Sequence, residues 1–217
     1  MPIPASEIKF SILILSIPER IDAMKMLVLQ LQEQALACGQ PRSLETLVLL
    51  DNRSKSISEK RNDLLAAARG RFIAFLDDDD AISDDYLMQL LEAIDQHPDV
   101  DCISFKQWCS IDGEPMDVTF GIGNPHGQLW RDQQGRLGPI RRPPYHMCLW
   151  RRELAITESF RPIYGQNGQS TEDIDWLMRL YPKVQLEHHI PEVLHRYIYN
   201  SKTTTSIDPR LIAKNDN

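Results

Sequence analysis

Apolar runs of strand length alternate with amphipathic helical patterns through the first half of the chain. Between the runs, apolar residues recur at spacings of three and four, as on one face of a helix. Strands that alternate with helices predict an α/β fold with a doubly wound, mostly parallel sheet flanked by helices and joined by right-handed crossovers. The predicted strands are Phe10–Leu15, Leu44–Leu50, Phe72–Leu76 and Val100–Lys106, and the predicted helices cover residues 21–38, 56–68 and 83–97.

The pattern loosens after Lys106. Between Gln107 and about Tyr145, Gly, Pro and Asn recur and no helical period persists, which predicts a smaller region of short strands and long loops. A helix is predicted to begin at Thr171 and a late strand to cover Val193–Tyr199. We expect a single domain over residues 1–217, with halves at about 1–106 and 107–200 and a polar tail at 201–217.

The composition argues against a basic surface over the whole molecule, because the 217 residues carry a formal charge of −7. One region departs from this balance. Six arginines and a single acidic residue lie between Arg131 and Arg152, which indicates a site for a phosphorylated ligand or a solvated loop. The arginines of this Arg131–Arg152 loop are also compatible with binding to a DNA backbone, which remains an alternative.

The spacing of the cysteines and the first residues of the chain bear on the cellular compartment of the protein. The four cysteines lack CxxC or Cys/His zinc spacing, which favours reduced thiols and a cytoplasmic location. The start, MPIPASEIKF, lacks the basic and apolar regions of a signal peptide, and we expect no transmembrane segment.

Four consecutive carboxylates, Asp77–Asp80, directly follow the third predicted strand. Like charges at the end of a buried strand are costly unless a cation neutralises them, and Mg²⁺ or Mn²⁺ prefers such oxygen ligands. Alternate side chains of an extended segment point to the same side, so Asp77 and Asp79 are the predicted metal ligands. The alternative is an exposed acidic turn in which Asp80 or Ser83 caps the next helix.

An ordered set of motifs resembles the family 2-type glycosyltransferases, which have the GT-A fold. FSILILSIPER is similar to the family's opening strand and its Pro-Thr-Tyr-Asn-Arg turn, although the Pro is displaced and Glu19 replaces the Asn. Further along the chain, Lys60-Arg61-Asn62 corresponds to Ala-Arg-Asn, Ile73–Asp80 to Phe-Leu-Asp-x-Asp-Asp, and Glu172-Asp173 with Arg179 to the family's Glu-Asp motif. The resemblance is strongest over residues 10–86 and resumes over residues 171–179.

This resemblance implies a GT-A-like fold whose first half binds a nucleotide sugar and whose second half binds an acceptor. The donor is expected to be a UDP-sugar, and the metal to assist departure of its nucleoside diphosphate. Asp51 would meet the uracil, although a turn cap is its alternative role. The implied donor-binding residues are Ser16, Asp51, Arg61, Asp77 and Asp78, and the implied ligands of Mn²⁺ or Mg²⁺ are Asp77, Asp79 and His195.

Inverting transfer needs a base that takes the proton of the acceptor hydroxyl. The resemblance implies Asp173 for this role, with Glu172 holding the acceptor or its loop, although both are also favourable charges at a helix N-terminus. Acidic neighbours and partial burial predict a raised pKa for the base. His146 is expected to line the donor or acceptor pocket, and Trp150 to lie in the core.

Other classes fit the motifs less well. A haloacid-dehalogenase phosphatase would carry Thr or Val two residues after its second Asp, and this residue is absent because Ala81 follows Asp80. A nucleotidyltransferase would carry a Gly-rich loop after the first strand, and a non-catalytic sugar-nucleotide-binding module would not need the base. The acceptor stays open among a saccharide, a lipid-linked sugar, a protein and a hydroxymethylated base in DNA.

Overall fold

The computed structural model describes residues 8–164 and 171–199. Within these residues the chain forms a mixed sheet with helices packed around it. The strands are β1 (Phe10–Ser16), β2 (Leu44–Leu50), β3 (Phe72–Asp77), β4 (Ala81–Ile82), β5 (Cys102–Ile111), β6 (Glu114–Phe120), β7 (Ile140–Arg142), β8 (Leu149–Arg151) and β9 (Glu187–Tyr199). The helices are α1 (Ile21–Ala37), α2 (Ile57–Ala67), α3 (Tyr86–Gln96), α4 (Arg152–Ala155) and α5 (Glu172–Leu180).

The parallel strands β2, β1 and β3 lie side by side, with β1 in the middle. Phe10 pairs in register with Leu44 on one side and Phe72 on the other. All residues of β1 are buried, which explains why FSILILS shows no alternation of apolar and polar positions. The carboxyl ends of β1 and β3 therefore lie side by side, and they bring Ser16 next to the acidic loop (Asp77–Asp80).

The fourth predicted strand runs parallel to β3 but is not its immediate neighbour. The short strand β8 lies between β3 and β5 and pairs antiparallel with both, so that Trp150 faces Ile73 on one side and Cys102 on the other. Trp150 is fully buried and lies in the core, as expected. This insertion makes the sheet mixed rather than purely parallel at its centre.

The second half contributes the loosely patterned strands and loops that the sequence predicts. β5 continues past Lys106 to Ile111 and forms a hairpin with β6 through Asp112 and Gly113, which have φ angles of 50° and 89°. Positive φ at both turn positions suits the right-handed twist of a two-residue hairpin.

The last strand, β9, is longer than predicted and ties the two halves together. It begins at Glu187 rather than Val193, runs parallel to β5, and pairs with β4 so that His195 lies opposite Ile82. The buried apolar residues of both halves form one cluster, in which Phe160 and Trp176 stack at 4.6 Å. No helix of the described residues is long and apolar enough to cross a membrane.

Candidate active site

The acidic loop divides into two exposed and two buried carboxylates. The side chains of Asp77 and Asp79 are 43% and 56% exposed, whereas those of Asp78 and Asp80 are 4% and 5% exposed. The exposed pair consists of the two residues that alternation predicts to share one side. Both carboxyls are nevertheless partly withdrawn from solvent. This desolvation, together with the neighbouring Asp80 charge, raises the pKa of Asp77, and desolvation likewise raises the pKa of Asp79.

Ser16 and Asp78, both predicted to bind the donor, bind each other. Ser16 Oγ donates to Asp78 Oδ2 at 2.8 Å, and Arg20 Nη1 donates to Asp78 Oδ1 at 3.0 Å. The same Arg20 nitrogen lies 3.0 Å from Asp79 Oδ2. Burial opposes the charge of Arg20, but these carboxylates outweigh it and raise the pKa of the guanidinium. Asp78 thus anchors the loop to β1.

Arg20 is a site residue that sequence reasoning missed. It bridges Asp78 and Asp79 across the end of the sheet. A signal was present, because this residue is the Arg of SIPER and corresponds to the last residue of the Pro-Thr-Tyr-Asn-Arg turn.

His195 is buried directly behind the acidic loop and contacts Asp80. Its Nε2 lies 3.0 Å from Asp80 Oδ2, and its Nδ1 lies 2.8 Å from the Gln107 amide nitrogen. Asp80 also accepts the Asp77 backbone N–H at 2.8 Å. Burial opposes ionisation of Asp80, but His195 and this N–H outweigh it and hold the pKa of Asp80 below its ordinary value. His195 therefore orders the loop through Asp80.

The metal-ligand prediction fits this geometry for two of its three residues. Asp77 and Asp79 offer exposed carboxylates, and Mg²⁺ characteristically takes one or two carboxylates and completes its shell with water and substrate phosphates. Over residues 8–164 and 171–199, no group of three His, Cys, Asp or Glu side chains could hold a metal ion. The role of His195 as a third ligand stays a prediction.

Arg61 links the donor side of the site to α5. Ser56 and Glu59 form a capping box that fixes the start of α2 and so the position of Arg61 one turn later. The side chain is only 5% exposed, its Nε donates to Glu172 Oε1 at 3.1 Å, and its Nη2 lies 3.7 Å from Asp77 Oδ1. The guanidinium also lies over the Phe75 ring at 5.0 Å.

Asp173 lies beside His146 at the first turn of α5. Asp173 Oδ2 is 3.3 Å from His146 Nδ1, and the other imidazole nitrogen is 3.5 Å from Arg61 Nη2. Burial opposes the charge of Asp173, but His146 and Arg61 outweigh it and lower the pKa of Asp173 to about 2. The expectation of a raised pKa was therefore wrong, because the neighbours that reach this carboxylate are basic rather than acidic.

Asp51 directly follows β2 and begins a tight turn in which both of its carboxylate oxygens accept hydrogen bonds. Oδ1 accepts the Ser54 hydroxyl at 2.5 Å, and Oδ2 accepts the Lys55 backbone N–H at 3.2 Å. Burial opposes its ionisation, but these hydrogen bonds lower the pKa of Asp51. The carboxylate caps a turn here. Oδ1 also accepts the Ser54 backbone N–H at 3.2 Å, so only Oδ2 keeps a lone pair without a hydrogen bond from the described residues.

Lys60 is a second residue that sequence reasoning passed over. Its side chain is 8% exposed, its Nζ lies 3.9 Å from Asp51 Oδ2, and the Asp78 carboxylate also acts on it. Burial lowers its pKa. The signal was its place four residues before Leu64, on the buried face of α2, where the family pattern has Ala.

The Arg131–Arg152 loop does not form one basic face. Four of its arginines have partners in the protein: Arg131 pairs with Glu114, Arg136 with Asp132, Arg151 with Asp101, and Arg152 donates to the Ala68 carbonyl. Among the described residues, no carboxylate forms an ion pair with Arg141 or Arg142. Arg142 lies over the Tyr145 ring at 5.8 Å.

Solved structures resemble the chain in fold. It superposes on the crystal structure of Staphylococcus aureus TarS residues 1–349 with a TM-score of 0.51, 16% identity, and coverage of 88% of this chain and 60% of that one. The complex of TarS 1–349 with UDP-GlcNAc matches with a TM-score of 0.51, 15% identity, and coverage of 91% of this chain and 62% of that one. These matches confirm the predicted GT-A-like fold with its central sheet and flanking helices.

Two curated proteins match in sequence. "Putative glycosyltransferase EpsH" of Bacillus subtilis (strain 168) is 32% identical over 104 residues, which are 45% of this chain and 28% of EpsH. "Uncharacterized protein y4gI" of Sinorhizobium fredii (strain NBRC 101917 / NGR234) is 27% identical over 154 residues, 65% of this chain and 14% of that protein. The chain thus spans less than a third of the length of either relative.

The family comparison covers more than half of the chain. The model of the family described as "Glycosyl transferase family 2" matches residues 34–156, from the end of α1 through α4. The match includes Asp51, Arg61 and the whole acidic loop, whereas Glu172 and Asp173 lie beyond it. The chain belongs to glycosyl transferase family 2.

Proposed function

We propose that the protein is a metal-dependent, inverting glycosyltransferase that moves a sugar from a nucleoside-diphosphate donor to an acceptor hydroxyl. One observation carries the proposal. Arg61 connects the exposed Asp77 of the acidic loop with Glu172 at the start of α5, at 3.7 Å and 3.1 Å. Arg61 therefore joins the predicted donor side to the first turn of α5, which also carries the predicted base Asp173.

Uracil is the proposed base of the donor nucleotide. The TarS structure that this fold resembles was solved with UDP-GlcNAc, which supports a UDP-sugar without identifying the sugar. On this chain, the remaining lone pair of Asp51 Oδ2 would accept the uracil N–H. Arg61 would meet the diphosphate, for which a guanidinium is well suited.

Asp77 and Asp79 would hold Mn²⁺ or Mg²⁺, and a bound metal would neutralise the charge that develops on the departing nucleoside diphosphate. The side chains of the protein prepare this position. Arg20 fixes Asp79, while Asp80 and His195 fix the backbone of Asp77.

Asp173 would accept the proton of the attacking hydroxyl, and attack on the face of the sugar opposite the leaving group inverts the anomeric carbon. With a pKa of about 2, Asp173 is ionised throughout the neutral range and is available as an acceptor. His146 orients the carboxylate from 3.3 Å, and Glu172 is held by Arg61.

A panel of nucleotide sugars tests the class. UDP-, GDP- and dTDP-linked donors are added with Mn²⁺, Mg²⁺ or a chelator, and thermal stabilisation and slow donor hydrolysis are measured. We expect a UDP-sugar with metal to raise the melting temperature and to be hydrolysed. Stabilisation by none of these donors contradicts the proposal, whereas unchanged turnover in Asp77→Ala and Asp79→Ala contradicts the metal site alone.

A saccharide is the proposed acceptor rather than a hydroxymethylated base in DNA. Four of the six arginines of the Arg131–Arg152 loop are bound to protein groups, which leaves few to follow a nucleic-acid backbone. Salt-sensitive binding of duplex DNA would contradict this choice.

The cytoplasmic location of the protein stays a prediction. All four cysteines are free thiols.

A further inference from the structure

We propose that a pocket between β7 and the preceding loop binds an anionic group on the acceptor, so that the acceptor is an acidic or phosphorylated saccharide. This inference rests on the proposed function, because it names the acceptor class of the same site. The pocket has a volume of about 360 Å³ and is lined by His126, Gly127, Gln128, Leu129, Arg142 and Tyr145. Pockets of this size hold small ligands such as one sugar residue.

The charge of the lining is the first argument. The chain as a whole is acidic, yet none of these six lining residues carries a carboxylate. Arg142 supplies a permanent positive charge, and no carboxylate among the described residues forms an ion pair with it. A guanidinium that lies half-buried in a pocket without a carboxylate favours an oxyanion as its partner.

The other lining groups suit a sugar around that anion. Gln128, His126 and the Tyr145 hydroxyl offer hydrogen-bonding groups, while the exposed Leu129 offers an apolar surface at the rim. The Tyr145 ring is fixed by Arg142 on one side and by an edge-to-face contact with Phe120 at 5.6 Å. An aromatic body with a polar tip is suited to carbohydrate contact.

The backbone holds the loop firmly against β7. The Gly127 N–H donates to the Arg141 carbonyl at 3.1 Å, and a Cβ at Gly127 would come within 2.7 Å of the same oxygen. Only a glycine allows this close approach. The position of Gly127 beside β7 is therefore fixed by the backbone.

A residue that lines the pocket is a sequence neighbour of a residue that contacts the proposed base Asp173. Tyr145 is followed directly by His146, whose Nδ1 lies 3.3 Å from Asp173 Oδ2. Burial raises the pKa of Tyr145, and the negative charge of Asp173 acts in the same direction. An acceptor held by its anion at Arg142 would thus bring a hydroxyl toward Asp173.

The test compares three probes with the same ring: glucose, glucuronic acid and glucose 6-phosphate. Binding to the full chain is measured by calorimetry without donor or metal. We expect at least one charged sugar to bind about tenfold more tightly than glucose, the effect of one charge-assisted hydrogen bond. A preference for glucuronic acid indicates a carboxylate, and a preference for glucose 6-phosphate indicates a phosphate.

Two variants give a matched comparison. Arg142→Gln should abolish the preference for charged sugars, whereas Arg141→Gln, on the exposed neighbouring position of β7, should keep it. Melting temperature and UDP binding monitor the folding of both variants. If Arg142→Gln does not fold, Arg142→Lys should retain part of the preference, and rising salt should weaken it in the unaltered protein.

Equal binding of the three sugars overturns the inference, as does a charge preference that survives Arg142→Gln. These outcomes differ from a failure of the proposed function. A protein that binds no nucleotide sugar would contradict the proposed function, while the donor-free measurement of the pocket would still stand.

Discussion

At the scale of single residues, the candidate site consists of side chains that hold one another in place. Asp78 is bound by Ser16, Asp80 by His195, and Asp173 by His146. A catalytic group that is fixed before the substrate arrives needs no reorganisation during the reaction. Removing one member should therefore affect its partner in a predictable direction.

Replacing Asp173 by Asn tests the proposed base. The amide keeps the shape but cannot accept a proton, so kcat for transfer should fall by about 10²- to 10⁴-fold while UDP binding is retained. Steady-state transfer assays and calorimetry measure the two quantities. Asp175→Asn is the control, since Asp175 lies on the same helix but pairs with Arg179 at 2.6 Å. Full activity in Asp173→Asn would remove this residue from the mechanism.

Replacing His146 by Gln tests what lowers the pKa of Asp173. The variant loses the imidazole that helps hold the pKa of Asp173 at about 2, so the pKa should rise toward its ordinary value near 3.8. Carbon-13 NMR of the labelled carboxyl group follows this titration.

The same change has a consequence for stability. A carboxylate with a lowered folded-state pKa stabilises the protein above its ordinary pKa, and this stability is lost as the pH falls from about 4 to about 2. His146→Gln should therefore lose less stability over that window than the unaltered protein. An unchanged pKa in the variant would mean that Arg61 and the backbone alone hold the carboxylate ionised.

At the scale of elements, α2 positions the residue that joins the two sides of the site. The Ser56 hydroxyl accepts the Glu59 N–H at 3.2 Å, and Glu59 Oε2 accepts the Ser56 N–H at 2.7 Å. Ser56→Ala should lower the free energy of unfolding by about 1 kcal/mol, and Ser56→Gly by only a few tenths. Urea denaturation measures both. Equal stability of all three proteins would show that packing alone holds the start of α2.

The sequence predicts the strands β1 and β2 almost to the residue, although only β1 is buried along its whole length. The predicted Leu44–Leu50 coincides with β2, and Phe10–Leu15 ends one residue before β1 does. A strand buried on both faces is nearly continuously apolar, so the pattern of β1 is visible without knowledge of its neighbours. The apolar run of β2 predicts a strand equally well, although Val48 and Leu50 are exposed at the edge of the sheet. The direction of the exposed Asp77 and Asp79 follows equally from local alternation.

Pairings between distant segments could not be predicted in this way. β8 has three residues, and nothing local indicates that Trp150 lies between Ile73 and Cys102. The contact of His146 with Asp173 likewise depends on how two segments pack. The pair Asp112-Gly113 is different, because it is a typical two-residue hairpin turn and so a local signal of the β5–β6 hairpin that the predictions above did not use.

At the scale of the whole molecule, β9 pairs with β4 and β5 behind the site. Its first residues include His188 and His189. The His188 ring stacks on His97 at 3.8 Å, and His189 Nδ1 lies 3.0 Å from Ser104 Oγ. Burial lowers the pKa of both His188 and His189, and the neighbouring His97 adds to the effect at His188. The start of β9 therefore favours neutral imidazoles.

The free energy of unfolding should therefore fall as the pH drops below about 6.5. The unfolded chain binds protons at the ordinary histidine pKa, whereas the folded chain binds them only at lower pH, so protons favour unfolding in that window. Urea denaturation at pH 7.5 and pH 5 measures the difference, and His188→Gln and His189→Gln should each reduce it. His126→Gln, an exposed imidazole outside β9, should leave it unchanged. Equal stability at both pH values would contradict this prediction and would show that the start of β9 tolerates protonated imidazoles.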